Sequence, residues 1–172
     1  MACDRAILEQ DDELYEAAAR LVLRATELRL TVGTAESCTG GLVSGCLTAV
    51  PGSSAVVRGG VVSYAIPVKH EVLGVPYEGI LGVPQIGAVS SECAKAMAEG
   101  ARRVLSCDVA VSTTGIAGPG GAEPGKPVGT VWMAVATADG TKSWLHCFEG
   151  DRADVRRLAC RAAIGHLLES LV

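Results

Sequence analysis

A short stretch of the sequence places a serine, a thiol and two adjacent glycines where a strand is expected to turn into a helix. The stretch reads Glu36-Ser37-Cys38-Thr39-Gly40-Gly41. The first turn of a helix has unpaired N–H groups and the positive end of the helix dipole, so it can stabilise an oxyanion. Ser37 can act as a nucleophile there, and the glycines let a substrate approach the backbone. The alternative is that Ser37 or Thr39 only caps the helix, that the glycines allow close packing, and that Cys38 is a small packing residue.

A serine nucleophile needs a base, and histidine, the usual one, occurs only as His70, His146 and His166. His146 falls in a predicted strand and His166 late in a predicted helix, which favours structural or surface roles for both. Lys69 is the stronger candidate, because a partly desolvated amine has a lowered pKa and can accept a proton. Tyr64 precedes Lys69 by a few residues and can orient the amine or relay a proton. Surface positions for Lys69 and Tyr64 are the alternative.

A glycine-rich loop and one arginine are candidates for holding a ligand. The loop 113–121 (TTGIAGPGG) leaves a predicted strand with several N–H groups free, which suits a carbonyl oxygen or a phosphate. Arg152 lies in the first turn of the last predicted helix and could reach a phosphate, although a solvated face paired with Asp151 and Asp154 is the alternative. No Gly-x-x-x-x-Gly-Lys-Ser/Thr motif indicates a nucleotide triphosphatase. No metal site is expected, because the histidines are isolated.

Hydrophobic periodicity predicts the elements that must position these residues. The predicted helices are 11–30, 41–50, 67–73, one capped by Ser90 or Ser91, and one capped by Asp151; the predicted strands are 31–35, 56–64, 108–115, 129–136 and 141–149. Residues 76–87 are predicted to be loop. Helices that alternate with strands, followed by a hairpin at Asp139-Gly140, predict an α/β fold with three α/β/α layers and a mixed β-sheet. The order of the strands does not follow from the sequence.

Composition narrows the class of protein. A length of 172 residues predicts one domain over residues 1–172, and 49% hydrophobic residues support a packed core. A net charge of −4 and few aromatic residues argue against a nucleic-acid partner. Seven cysteines without a Cys-x-x-Cys spacing indicate reduced thiols in a cytoplasmic protein. Every longer apolar run is broken well before 18 residues, so no membrane span is expected.

Several segments, in order from about Leu14 to the end of the chain, resemble the C-terminal domain of the competence/damage-inducible protein CinA, the nicotinamide-nucleotide amidohydrolase (PncC) family. They are 34–75, beginning TAESCTGG, then GAVSSECAKAMAEGARR, TTGIAGPGG, KPVGTVW and FEGDRADVRRLA. AESCTGG and TGIAGPGG are the most specific. The resemblance is to the stand-alone form, which lacks the additional N-terminal domain of the larger CinA proteins. It implies a CinA C-terminal-like fold.

The resemblance implies hydrolysis of nicotinamide mononucleotide to nicotinate mononucleotide and ammonia, without metal or cofactor, in a homodimer. Ser37 is then the nucleophile, Lys69 the general base and Tyr64 its partner, and N–H groups near Thr39 to Gly41 hold the oxyanion. The loop 113–121 and Arg152 would hold the ribose phosphate. The residues expected to contact the substrate are Glu36, Cys38, Thr39, Gly40, Gly41, Thr114, Gly115, Gly118, Gly120 and Arg152.

The sequence departs from the family pattern between Tyr64 and Lys69. Members of the family often have a polar segment there, similar to Ser-Asn-Glu-Ala, whereas this chain has Ala65-Ile66-Pro67-Val68. A polar group near the base is therefore missing at Ile66. Two alternatives stay open: a non-catalytic nucleotide-binding or interaction module, and an enzyme that hydrolyses a different amide or a small ester. His70, directly after Lys69, could share the role of base.

Overall fold

Helices and strands alternate along the chain in the computed structural model, which describes residues 12–171. In chain order the elements are α1 (Asp12–Leu28), β1 (Val32–Glu36), α2 (Leu42–Thr48), β2 (Val57–Val62), α3 (Ile66–Glu71), α4 (Ser91–Val104), β3 (Val109–Gly115), β4 (Thr130–Thr137), β5 (Gly140–Cys147) and α5 (Arg152–Ser170). A 3₁₀ turn (Ser53–Ala55) follows α2, and a wide π-type turn (Tyr77–Leu81) lies between α3 and α4. The predicted loop 76–87 therefore contains one turn of helix-like structure.

The strands form one sheet in the order β2-β1-β3-β4-β5. β1 is parallel to both β2 and β3, whereas β4 is antiparallel to β3 and β5, so the predicted mixed sheet is confirmed. In this register Glu36, the last residue of β1, lies opposite Val62 of β2 and Thr113 of β3. The ends of three strands are thereby aligned at one edge, where ligands of α/β sheets commonly bind.

Helices cover both faces of the sheet, as predicted. On one face α2 and α5 pack on the strands and α1 packs on α2 and α5, through buried side chains such as Leu21, Leu47 and Ile164. On the other face α4 packs through Met97 and neighbouring small residues. This arrangement gives the predicted three α/β/α layers.

The predicted helix starts at Ser90 and Asp151 are confirmed. Ser90 Oγ accepts a hydrogen bond from the N–H of Cys93, and Asp151 forms a capping box with Asp154. The strand predicted at 31–35 instead runs from Val32 to Glu36. Glu36 therefore belongs to the buried sheet rather than to the turn that follows it.

Gly100 allows α4 to lie directly against the chain that follows α3. A Cβ at position 100 would lie 2.1 Å from the carbonyl oxygen of Leu73. We expect Gly100→Ala to lower the free energy of unfolding by about 1–3 kcal/mol, because the backbone must shift. The matched control is Gly165→Ala in α5, where an added Cβ would meet no atom within 4 Å beyond its neighbouring residues and the backbone of its own helix. It should stabilise the protein by about 0.5–1 kcal/mol through helix propensity. Equal urea midpoints for the two variants would contradict this account.

Candidate active site

Ser37 and Lys69 meet at the edge where β1, β2 and β3 end. Ser37 directly follows β1, and its N–H donates to the carbonyl oxygen of Thr113 at 2.9 Å, which ties it to β3. Lys69 lies on α3, the short helix that begins after β2. Its Nζ lies 2.9 Å from Ser37 Oγ. The structure thus joins a hydroxyl and an amine at the distance that proton transfer requires.

The Lys69 side chain is only 1% exposed, although lysine normally reaches water. Burial lowers the pKa of Lys69, because desolvation disfavours the ammonium form. Nζ also donates to the backbone carbonyl oxygens of Ser63 and Tyr64. No carboxylate among residues 12–171 forms an ion pair with it. A neutral amine could donate both of its protons to these carbonyl groups and turn its lone pair toward Ser37 Oγ.

Two buried thiols lie near the amine, Cys38 beside the nucleophile and Cys93 on α4. Burial raises the pKa of each thiol to about 11, with the desolvation effect larger than the opposing attraction of Lys69. Both thiols are therefore protonated at neutral pH. A protonated thiol is a poor nucleophile. Lys69 Nζ makes its side-chain hydrogen bond to the Ser37 hydroxyl and not to either thiol.

A pocket of about 210 Å³ opens in front of Ser37 and Lys69. Its walls come from the ends of β1 and β3, from α3 and from the segment before α4. The lining residues are Ser37, Cys38, Tyr64, Ile66, Lys69, Ala88, Val89, Thr114, Gly115, Ala117 and Arg152. Pockets that hold a whole drug-sized ligand usually measure about 300–1,000 Å³, so this one suits a small reacting group.

Arg152 separates this pocket from a larger cleft. Its guanidinium donates to the Tyr64 hydroxyl at 3.1 Å and to the carbonyl oxygen of Gly118 at 3.0 Å. The cleft measures about 640 Å³ and shares Ala117 and Arg152 with the pocket. Arg156, one turn further along α5, also lines it. A ligand that fills both cavities would therefore pass two guanidinium groups.

The turn after Ser37 has only some of its N–H groups available. The N–H of Gly40 donates to the carbonyl oxygen of Ser37, and the N–H of Gly41 donates to the Glu36 carboxylate. The N–H groups of Cys38 and Thr39 have no hydrogen-bonded oxygen partner among the described residues. Of the predicted oxyanion donors near Thr39 to Gly41, the N–H groups of Gly40 and Gly41 already have acceptors, which corrects that part of the prediction. Cys38 and Thr39 carry the candidate donors.

Comparisons with known proteins agree with this architecture. The sequence model of the CinA C-terminal domain matches residues 14–171. This chain belongs to the CinA C-terminal domain family. A CinA-like protein of Anaeromyxobacter sp. (strain K) is 49% identical over 160 residues, and one of Geobacter metallireducens is 43% identical over 166 residues. These matches cover 92% and 96% of this chain but 38% and 39% of the relatives. The chain thus spans less than half the length of these relatives.

Solved structures of CinA proteins superpose closely on this CinA domain. The competence/damage inducible protein of Agrobacterium tumefaciens is 41% identical with a TM-score of 0.87, and the match covers 91% of this chain and 94% of that one. The competence damage-inducible protein A of Klebsiella pneumoniae is 35% identical with a TM-score of 0.88, over 93% and 98% of the two chains. The α/β fold implied by the resemblance is confirmed.

Several predicted contact residues of this CinA domain lie away from the pocket. Glu36 and Thr39 are buried beneath the turn, where Thr39 Oγ1 donates to the Glu36 carboxylate and contacts the Thr113 hydroxyl. Gly120 is exposed in its loop and does not line the pocket, whereas Thr114 and Gly115 do. Gly118 takes part through its carbonyl oxygen, which accepts from Arg152. Burial inside the sheet and the helix start removes the side chains of Glu36 and Thr39 from contact with a ligand.

Tyr64 occupies a different place from the predicted one. Its side chain is 60% exposed, and its hydroxyl accepts from Arg152 rather than contacting Lys69. Only its backbone carbonyl oxygen reaches the Lys69 amine. Arg152 correspondingly points to Tyr64 and Gly118 rather than to Asp151 and Asp154. The prediction that the Tyr64 phenol orients the Lys69 amine is therefore wrong.

The histidines stay outside the candidate active site. His70 Nδ1 bonds to the carbonyl oxygen of Val75, which leaves it outside the pocket. His146 and His166 contact each other through Nε2 at 2.9 Å, between β5 and α5. Within the described part of the chain, no group of three or more metal-binding side chains occurs. None of the helices over residues 12–171 is both long and apolar enough to span a membrane.

Sequence reasoning missed three features of the site. The carbonyl oxygens of Ser63 and Tyr64 hold the amine, and backbone acceptors leave no mark in side-chain motifs. Ala88 and Val89 form one wall, although they follow a segment that reads as loop. Arg156 reaches the carbonyl oxygen of Thr39 at 2.9 Å, a contact that brings α5 to the turn after the nucleophile.

Proposed function

We propose that this CinA domain hydrolyses a carboxamide, with Ser37 as nucleophile and Lys69 as general base. The observation that carries the proposal is the buried Lys69 Nζ at 2.9 Å from Ser37 Oγ. A buried amine without a carboxylate partner is costly for stability, and such strain is common at functional sites. A purely structural lysine would gain more from solvent or from an ion pair.

The arrangement supports a two-step reaction through an acyl-enzyme. Ser37 Oγ attacks the carboxamide carbon while its proton passes to Lys69. The tetrahedral intermediate then collapses, the C–N bond breaks and Lys69 returns the proton to the departing ammonia. Water next attacks the ester and gives a proton to Lys69. When the bond between Ser37 Oγ and the acyl carbon breaks, Lys69 passes this proton to Oγ, which releases the acid and restores both residues. The balance is one carboxamide and one water consumed, and one carboxylic acid and one ammonia formed.

The oxyanion of each tetrahedral intermediate needs donors close to Ser37. The N–H groups of Cys38 and Thr39 are the candidates, because the neighbouring N–H groups of Gly40 and Gly41 already have acceptors. The protonated Lys69 adds a positive charge at the moment when negative charge develops. In a site closed to water, preorganised donors of this kind are the largest catalytic contribution in many hydrolases.

The substrate that we propose is nicotinamide mononucleotide, following the resemblance to nicotinamide-nucleotide amidohydrolases. The small pocket suits the pyridine carboxamide, and the larger cleft beyond Arg152 offers room for ribose and phosphate. Arg152 and Arg156 line that cleft, and guanidinium groups pair well with phosphate oxygens. The product would be nicotinate mononucleotide.

Ammonia release from nicotinamide mononucleotide tests this proposal, with nicotinamide riboside as the substrate that lacks phosphate. Release from the nucleotide and weaker release from the riboside would support both the chemistry and the recognition of phosphate. Equal ammonia release from both substrates would support the amidase activity and would show that the phosphate is not recognised. Binding of the nucleotide without ammonia release would instead identify a non-catalytic binding module, and then Ile66 in the pocket wall becomes the first residue to replace.

Arg152 should determine how strongly the phosphate is recognised. We expect Arg152→Met to lower kcat/KM for nicotinamide mononucleotide by about 10- to 100-fold, the loss of one charge-assisted hydrogen-bonded pair. The rate with nicotinamide riboside should change far less. Arg157→Met is the matched control, because Arg157 lies on the same helix and pairs with Asp154 at 3.6 Å. A similar loss for both substrates in Arg152→Met would show that Arg152 supports the pocket rather than the phosphate.

A further inference from the structure

The carboxylate of Glu36 is the most heavily hydrogen-bonded side chain beside the nucleophile. Glu36 ends β1, is 1% exposed and directly precedes Ser37. Its two oxygens accept from the backbone N–H groups of Gly41, Val43 and Ser44 at 2.9, 3.1 and 2.8 Å. These N–H groups belong to the start of α2, where no intrahelical acceptor is available. The carboxylate thus holds the beginning of α2 from inside the sheet.

Three hydroxyl groups complete this cluster. Thr39 Oγ1 donates to Glu36 at 2.7 Å, Ser44 Oγ at 3.0 Å and Thr34 Oγ1 at 3.2 Å. The Thr34 and Ser44 hydroxyls also bond to each other, so three N–H groups and two hydroxyls at a time donate to the two oxygens. A carboxylate accepts through both of its oxygens, whereas a carboxamide accepts through one only. A neutral glutamine would turn its NH₂ group toward N–H donors. The composition of the cluster requires a carboxylate at position 36.

The same turn is fixed from three further directions. Thr113 accepts from the Ser37 N–H through its carbonyl oxygen and contacts Thr39 Oγ1 through its hydroxyl at 2.7 Å. Arg156 donates to the carbonyl oxygen of Thr39. Every polar group in these contacts fixes the backbone that carries Ser37 Oγ and the N–H groups of Cys38 and Thr39. Displacement of the carboxylate would therefore move the nucleophile and the oxyanion donors together.

We propose that Glu36 is a positioning residue whose buried carboxylate holds the Ser37–Gly41 turn in its reactive geometry. This inference rests on the proposed function and assigns Glu36 a role other than substrate contact. A misplacement of about 1 Å can lower a catalytic rate about 10²-fold. The effect of Glu36 should therefore fall on kcat and leave KM nearly unchanged, because Glu36 touches no part of the pocket.

The test compares Glu36→Gln, Thr39→Val and Thr39→Ser with the unchanged protein. We expect kcat to fall about 10²-fold in Glu36→Gln and about 10-fold in Thr39→Val, which loses the bond to the carboxylate and the contact with the Thr113 hydroxyl. Thr39→Ser restores the hydroxyl and should recover most of the activity. Thr48→Val is the matched control on α2, because the Thr48 hydroxyl donates to Ser44 and Gly45 carbonyl groups rather than to Glu36. It should keep full activity.

A second readout separates this inference from the choice of substrate. A phosphonyl fluoride phosphonylates an activated serine and releases fluoride, and intact mass gives its rate on Ser37. Slower labelling in Thr39→Val and Glu36→Gln, with Thr48→Val unchanged, supports the positioning role even if no carboxamide is hydrolysed. This labelling pattern without carboxamide hydrolysis would overturn the proposed function and leave the positioning role of Glu36 intact.

Three results would overturn the positioning role. The first is a labelling rate and kcat in Thr39→Val equal to those of Thr39→Ser, and the second is a loss of kcat/KM that lies entirely in KM. Failure of the unchanged protein to be labelled at all would overturn it as well. Circular dichroism identifies a variant that does not fold, and if Glu36→Gln is unfolded, the comparison of the two Thr39 variants decides the question.

Discussion

Ser37→Ala is expected to lower the kcat of carboxamide hydrolysis by about 10³-fold or more, because it removes the atom that forms the acyl-enzyme. The substitution deletes one oxygen and keeps the backbone N–H that donates to Thr113. Thermal stability and nucleotide binding should therefore change little. The measurement is ammonia release under single-turnover conditions, together with a binding titration of the same preparation.

The matched control for this prediction is Ser170→Ala. The Ser170 hydroxyl donates to the carbonyl oxygen of Leu167 at the end of α5, far along the chain from the pocket residues. Its activity should equal that of the unchanged protein. If Ser37→Ala keeps substantial turnover, the nucleophile is another group or a water molecule, and an acyl-enzyme on Ser37 is excluded.

Cys38 is the neighbouring group that such a result would first suggest, and its environment argues against it. Burial raises the pKa of Cys38 to about 11, so the reactive thiolate is scarce at neutral pH. A thiol can still attack if a base removes its proton, yet Lys69 Nζ makes its hydrogen bond to Ser37 Oγ. The geometry therefore favours the hydroxyl over the more nucleophilic sulfur.

The sequence predicts the local elements well because each carries its own signal. The buried side chains of α1 follow a helical period, Ser90 and Asp151 cap their helices, and a turn before Gly140 joins β4 to β5. Strand order lacks such a signal. β1 pairs with β2 on one side and with the distant β3 on the other, and this choice depends on the packing of helices on both faces.

The site was only partly predictable for a related reason. The turn after β1 identifies Ser37, because the chemistry of a strand-to-helix junction is local. The burial of Lys69 is not local, since it arises where α3 and the ends of β1 and β3 meet the segment before α4. Glu36 reads as a polar residue near a substrate, but the structure turns its carboxylate toward the start of α2. Contacts that depend on tertiary packing leave no periodic pattern.

Lys69→Met is the second substitution with a large expected effect. Methionine has a similar length but accepts no proton, so kcat should fall by about 10²- to 10⁴-fold, the usual contribution of a general base. Lys69→Arg should be as inactive at every pH, because a guanidinium stays charged and offers no lone pair. Activity in Lys69→Arg close to that of the unchanged protein would exclude the base role and leave only a charge role.

The pH dependence follows from the neutral state of the amine. Burial lowers the pKa of Lys69 below its ordinary value of 10.5, so a part of the population is neutral at a lower pH than for an exposed lysine. As the pH falls through that lowered pKa, the amine gains a proton and can no longer accept one from Ser37. We expect kcat/KM of the unchanged protein to decrease as the pH falls. The residual rate of Lys69→Met should not show this decrease.

The same desolvation makes Lys69 unfavourable for stability, which gives a test that needs no substrate. In the pH range between the lowered pKa and 10.5 the unfolded chain binds a proton that the folded chain does not hold. Stability therefore rises with pH through this range and the lysine is least costly above it. Lys69→Met removes the cost, so its Tm should exceed that of the unchanged protein near neutral pH, and the difference should shrink toward pH 10.5. A Tm difference that is constant with pH, measured by calorimetry, would mean that the amine is not held neutral and that Ser37 has no base at this position.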